Sequence, residues 1–137
     1  MDAYISSDAE RTLQGLGDAG CPASGLLIGH RRGPRFFVES VLPTRSDFFP
    51  SLRGFFSLSS LFEDRLIGFY SFRRDRKSLK KILAPFACGL LFIHVRTSRK
   101  RDPDLAAFSI EFKGRFDLAP IGLEAGSAKE DRRGQDP

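Results

Sequence analysis

The chain has 137 residues, 41% hydrophobic and 28% charged, which is the balance of one globular domain, and no stretch reaches the roughly 18 apolar residues of a membrane span. The residues Met1 to Ser7 have neither the basic region nor the apolar run of a secretion signal, so a cytoplasmic location without membrane attachment is expected. The net charge of +5 is gathered into Arg73 to Lys81 and Arg96 to Arg101, which favours anionic partners if both runs share a face.

Fourteen Phe against two Tyr and no Trp predict a core built on phenylalanine. In chain order, Ser7-Asp8-Ala9-Glu10 has the spacing of a capping box and predicts a helix whose apolar stripe is Ala9, Leu13 and Leu16. Gly25 to Gly29 is a short apolar run that predicts a strand covered on both faces. Arg31-Arg32-Gly33-Pro34-Arg35 reads as a charged turn into a second strand, Phe36 to Leu42.

Residues 43 to 56 mix Pro43, Pro50 and Gly54 with two aromatic pairs, and Phe48, Phe49, Phe55 and Phe56 form a candidate aromatic surface for dimerisation or peptide docking. A short helix is expected from Leu58 to Arg65, then a strand from Leu66 to Phe72. Leu79, Ile82 and Leu83 have helical spacing that Pro85 stops. Strands follow over Cys88 to Val95 and Leu105 to Phe112, with a last short one over Phe116 to Leu118. From Ala125 onward the sequence lacks large apolar residues, and a disordered tail is expected there.

Three stretches resemble the JAMM/MPN domain family over roughly residues 4 to 122. Pro22-Ala23-Ser24-Gly25-Leu26-Leu27-Ile28-Gly29 is similar to the family's glycine-bounded opening strand, Ile67-Gly68-Phe69-Tyr70 to its aromatic strand, and Asp104-Leu105-Ala106-Ala107-Phe108 to a later core strand. The resemblance implies a single MPN-like α/β domain over residues 1–124, with a mixed, curved sheet of about six strands flanked by helices, and a tail over 125–137.

Active members of that family hold zinc with two histidines and an aspartate, and a glutamate serves as general base. Here the histidine positions fall on Ser71 and Arg73, the aspartate near Lys81, and the glutamate at or beside Pro22. None of these can hold or activate zinc. The resemblance therefore implies a chain with no cofactor, no catalytic residue and no isopeptidase activity, serving as a non-catalytic scaffold for a protein partner or a homodimer. The residues themselves offer a second reading, a nucleic-acid or polyanion binder using Arg73, Arg74, Arg76, Lys77, Lys80 and Lys81 with Arg99, Lys100 and Arg101.

Other chemistry is weakly signalled. Cys21, Cys88, His30 and His94 are zinc-ligand types, yet no two of them have ligand spacing, and the cysteines are expected to be reduced. Cys88 and His94 on one strand would lie on the same face about 20 Å apart, too far to act as nucleophile and base. Glu39, Glu63, Asp64 and Glu111 are scattered, and only the fold decides whether any of them converge.

Overall fold

The computed structural model describes residues 1–18, 24–44, 57, 60–62, 64–72, 79, 80, 82–96 and 104–125. Its elements are β1 (Asp2–Ile5), α1 (Ser7–Asp18), β2 (Ser24–Arg32), β3 (Arg35–Pro43), β4 (Leu66–Ser71), a 3-10 turn (Pro85–Ala87), β5 (Leu91–Arg96), β6 (Asp104–Phe112) and β7 (Phe116–Ala125). The strands close into a barrel in the order β1-β3-β2-β4-β5-β6-β7.

This corrects the MPN-like α/β architecture implied by the resemblance. Instead of an open, curved sheet of about six strands between helices, seven strands close on themselves, and α1 is the one α-helix longer than a turn among the described residues. The physical reason is β1. Asp2, Ala3, Tyr4 and Ile5 alternate outward and inward over only four residues, yet they pair in parallel with Arg35–Val38 of β3 on one side and Gly122–Ala125 of β7 on the other. β7 also runs to Ala125 rather than stopping at Leu118, through Pro120 and Gly122, which break the strand pattern in sequence. The helix expected over 58–65 and the tail beyond 125 fall partly or wholly outside the described residues.

The helix α1 starts where expected but is capped one residue earlier. The Ala9 amide donates to Ser6 Oγ at 3.1 Å, and Ser6 Oγ itself donates to the Glu39 carbonyl at 2.9 Å, so one hydroxyl both caps the helix and ties it to β3. No helix among the described residues is long and apolar enough to cross a membrane.

Alternate residues of the strands feed two apolar layers. The barrel interior holds Ala3, Ile5, Leu27, Phe36, Val38, Tyr70, Ile93 and Val95, and Ala9 and Leu13 of α1 pack against them. The outer face of β2, β4, β5 and β6 carries Leu26, Phe69, Phe92 and Phe108, and Phe62, Leu79, Ile82, Leu83 and Phe86 cover it. Phe36, Phe69 and Phe92 are fully buried, so phenylalanine does build both layers. Ile5 sits in the interior on the closing strand with no exposure, and Ile5→Ala is expected to cost about 2–5 kcal/mol in a chemical denaturation experiment.

Where β1 ends, the first half of β7 has no partner on its outer edge among the described residues. Ile110 exchanges both backbone bonds with the β5 side, through Ile110 N–H to Leu90 O at 2.9 Å and Gly89 N–H to Ile110 O at 2.7 Å. Its partner Leu118 therefore points its own N–H and C=O away from β6, as do Phe116 and Pro120 two residues to either side. Pro120 has no N–H to offer, and the Leu118 amide is taken by Asp117 Oδ1 at 2.8 Å. The edge is thus stripped of most donors, which blunts strand addition. The paired variant Asp117→Ala with Pro120→Val is expected to convert the protein to concentration-dependent oligomers in sedimentation velocity, under conditions where the parent chain keeps its size.

Candidate functional site

The register of β2 on β3 runs Ile28↔Ser40 and then Gly29↔Val38, so Glu39 is an extra residue in a β-bulge. Gly29 permits it, because a Cβ there would overlap the Phe37 carbonyl. The Gly29 amide donates to the Arg65 carbonyl at 2.8 Å, which brings the residue preceding β4 beside the bulge.

The re-aimed Glu39 carboxylate then meets two partners. It accepts from His30 Nδ1 at 2.6 Å and from the Arg65 guanidinium. The hydrogen bond from His30 holds the Glu39 carboxyl below its ordinary range; burial opposes it, and the charge of Arg65 adds to the lowering. Since an ionised carboxylate only accepts, Nδ1 carries the proton and Nε2 is left as the ring's second polar atom. The His30 ring lies stacked on Phe37, with centroids 4.8 Å apart and planes 14° from parallel. Phe37 in turn contacts Tyr4 at 6.0 Å. His30, Phe37 and Tyr4 are register partners across β2, β3 and β1, so they form one transverse row on the outer face.

That face differs from the rest of the barrel. Among the described residues, the outer surface of β2, β4, β5 and β6 is covered by the chain's own apolar side chains, whereas Tyr4 and Phe37 are partly exposed and Leu42 is exposed. Leu42 is 39% exposed and the His30 side chain 43%. The result is a partly exposed aromatic surface with a charged cluster at one end.

A second polar cluster sits at another place. Ser24 pairs with Ser71, and Ser71 with His94, so these three side chains share one row across β2, β4 and β5 on the outer face. Ser24 and Ser71 are both buried, and Ser24 Oγ has no hydrogen-bond partner.

Of the residues singled out in the sequence, Ser71 is a buried serine at the end of β4, and Lys80 is exposed in a turn. Pro22, Arg73, Arg74, Arg76, Lys77, Lys81, Arg99, Lys100, Arg101, Phe48, Phe49, Phe55, Phe56 and Cys21 lie outside the described residues. Cys88 is a free, exposed thiol in the turn before β5, not on the same strand as His94. No group of three His, Cys, Asp or Glu among the described residues could hold a metal ion. The turn at 31–35 is held from inside: Arg31 donates to Gly33 O at 2.9 Å and Gly89 O at 3.1 Å, with its guanidinium 4.9 Å from the Phe36 ring centre. Nine Lys or Arg and ten Asp or Glu fall among the described residues, a net of −1 against +5 for the whole chain, so the cationic excess belongs to the segments outside them.

The His30, Glu39 and Arg65 cluster was not legible in the sequence. His30 and Glu39 flank a turn, but a regular hairpin would not turn Glu39 onto the imidazole, and Arg65 is remote in sequence. Because the folded-state pKa of Glu39 is depressed, its contribution to stability is present above the unfolded glutamate value and lost as pH falls through the folded value. Glu39→Gln is therefore expected to flatten the acid limb of the stability profile, read as thermal melting between about pH 3 and pH 6.

No family model matches the chain, and no curated protein matches it. Among solved structures, the solution structure of protein DSY2949 from Desulfitobacterium hafniense is similar, with a TM-score of 0.61 at 19% identity, covering 90% of this chain and 93% of that one. At that identity the likeness establishes a shared fold, and the barrel described here is the feature held in common.

Proposed function

We propose that this chain is a non-catalytic protein-interaction module that presents the outer face of β1 and β3 to a protein partner. The observation that carries this is the His30 and Phe37 stack, held on its far side by Glu39 and Arg65 and extended by Tyr4. Aromatic side chains and Arg supply much of the energy at protein interfaces, and a ring already fixed in place loses little freedom on binding. The free thiol of Cys88 is consistent with a reducing, cytoplasmic setting.

The alternative reading, a polyanion binder, rests on the cationic runs 73–81 and 96–101, and salt separates the two. A photo-crosslinking residue placed at position 37 is expected to capture a defined protein, while the same residue at Phe112, an exposed aromatic elsewhere on the barrel, captures none. Phe37→Ala and Arg65→Ala should each weaken the purified complex by tenfold or more, with little change between low and physiological salt. A complex that loses several orders of magnitude in affinity over that salt range, and is indifferent to both substitutions, would replace this reading with the polyanion one.

A further inference from the structure

The hairpin that joins β2 to β3 carries three arginines, and the fold puts them to different uses. Arg31 is committed to the turn itself, donating to Gly33 O and Gly89 O with its guanidinium over the Phe36 ring. Arg35 pairs with Asp2 of β1 at 3.4 Å. Arg32 is exposed and, among the described residues, has neither a hydrogen-bond nor an ion-pair partner. It is also the register partner of Arg35, so the two side chains leave one face of the sheet from Cβ atoms about 5 Å apart. Like charges directly opposite one another on a sheet cost stability, and the Asp2 pair offsets the charge of Arg35 alone.

Arg32 stands beside the aromatic surface. It lies two residues beyond His30 on the same face of β2, about 7 Å along the strand. The row Arg32, Arg35 and Asp2 therefore runs alongside the row His30, Phe37 and Tyr4. A shallow hollow bordered by Asp2, Tyr4, Arg35, Phe37 and Glu124 opens between the two rows, so a group laid on this face has space there. The charges around it are unevenly placed. Asp2 and Glu124 stand on the β1 and β7 side, and Glu39 already accepts from His30 and Arg65. Among the described residues, Arg32 is left as the unmatched charge on the β2 side. A carboxylate from a partner is attracted to that side and repelled from the other, which also fixes how a partner segment lies across the face. In an extended segment, residues two apart share one face at the same spacing of about 7 Å.

Resting on the reading of this face as a protein-binding surface, we propose that the partner presents an acidic extended segment. Its Asp or Glu side chain pairs with Arg32, and its large apolar side chain, two residues away, lies on His30 and Phe37.

The probe is a short capped peptide of Ser and Thr carrying Phe with Glu two residues away, made in both orders, together with versions in which Gln or Lys replaces the Glu. Amide shifts of the full-length protein are followed at physiological salt. Saturable shifts at Arg32, Phe37 and Tyr4, with a dissociation constant on the order of 1 mM, are expected for the Glu peptide in one of the two orders. The Gln peptide should bind about threefold more weakly and the Lys peptide more weakly again, because one exposed ion pair contributes modestly. Arg32→Glu should invert the ranking so that the Lys peptide binds best, a reversal that loss of folding does not produce, and Arg32→Gln should make the three peptides alike. Phe37→Ala should abolish saturable binding of all three. The proposal is overturned if the Glu peptide gives no saturable shifts at these residues, if the three peptides bind the parent chain equally, or if Arg32→Glu leaves the ranking as it was. Equal binding that still requires Phe37 removes the acidic partner and keeps the protein surface, whereas binding indifferent to Phe37→Ala removes the surface itself. A single-stranded oligonucleotide that shifts the same residues more strongly than the Glu peptide replaces the protein segment with nucleic acid and likewise overturns the proposal.

Discussion

Everything in this fold hangs on a four-residue strand. β1 hydrogen-bonds in parallel to β3 on one edge and to β7 on the other, and it is the sole link between those two strands in the ring. Through Ala3 and Ile5 it also supplies part of the interior layer. The residue that follows it, Ser6, caps α1 and holds the carbonyl of Glu39, so the same short segment closes the ring, starts the helix over its interior and anchors the bulge that aims Glu39 at His30. A change in β1 therefore reaches the proposed binding surface through covalent and hydrogen-bonded neighbours rather than through any distant relay.

The two faces of the sheet divide the work. One side of every strand is committed to the interior. On the other side, β2, β4, β5 and β6 receive a cover of apolar residues, whereas Tyr4 of β1 and Phe37 and Leu42 of β3 keep part of their surface open among the described residues. Most described cations are matched to acids nearby, Arg35 with Asp2 at 3.4 Å, Lys113 with Glu111 at 3.5 Å and Arg115 with Asp117 at 3.9 Å, so the described surface carries little net field of its own. The recognition proposed there would rest on shape and aromatic contact, which is the reasoning behind a protein partner.

Much of the local structure was legible. Gly25 to Gly29, Leu66 to Ser71 and Leu105 to Phe112 announce their strands by apolar content, and Ala9 and Leu13 announce the face of α1 that is in fact buried. Closure was not, because a strand as short as Asp2–Ile5 has too few residues to show a period and the decisive pairings join residues at opposite ends of the sequence. The resemblance to the JAMM/MPN family misled at this point, since glycine-bounded apolar strands such as Gly25 to Gly29 fit many sheets. The candidate sites were less legible still. Ser71 and His94 could be noted singly, but their adjacency depends on the parallel register of β4 and β5, and the meeting of Glu39 with His30 depends on one inserted residue.

The seam between β1 and β7 also sets an order of events during synthesis. Residue 2 leaves the ribosome long before residue 122 and must wait for it before its second edge is satisfied. Pairings between such distant parts of a chain form slowly, and a strand waiting with an open edge is exposed to other chains in the meantime. α1 is local, needs only its cap and its neighbours on β3, and can form early over the inner side of β3. The nascent protein would then present a β2–β3 hairpin with β1 and the helix already docked, while the last strand is still to come, so the growing chain spends its life on the ribosome as an open half-shell.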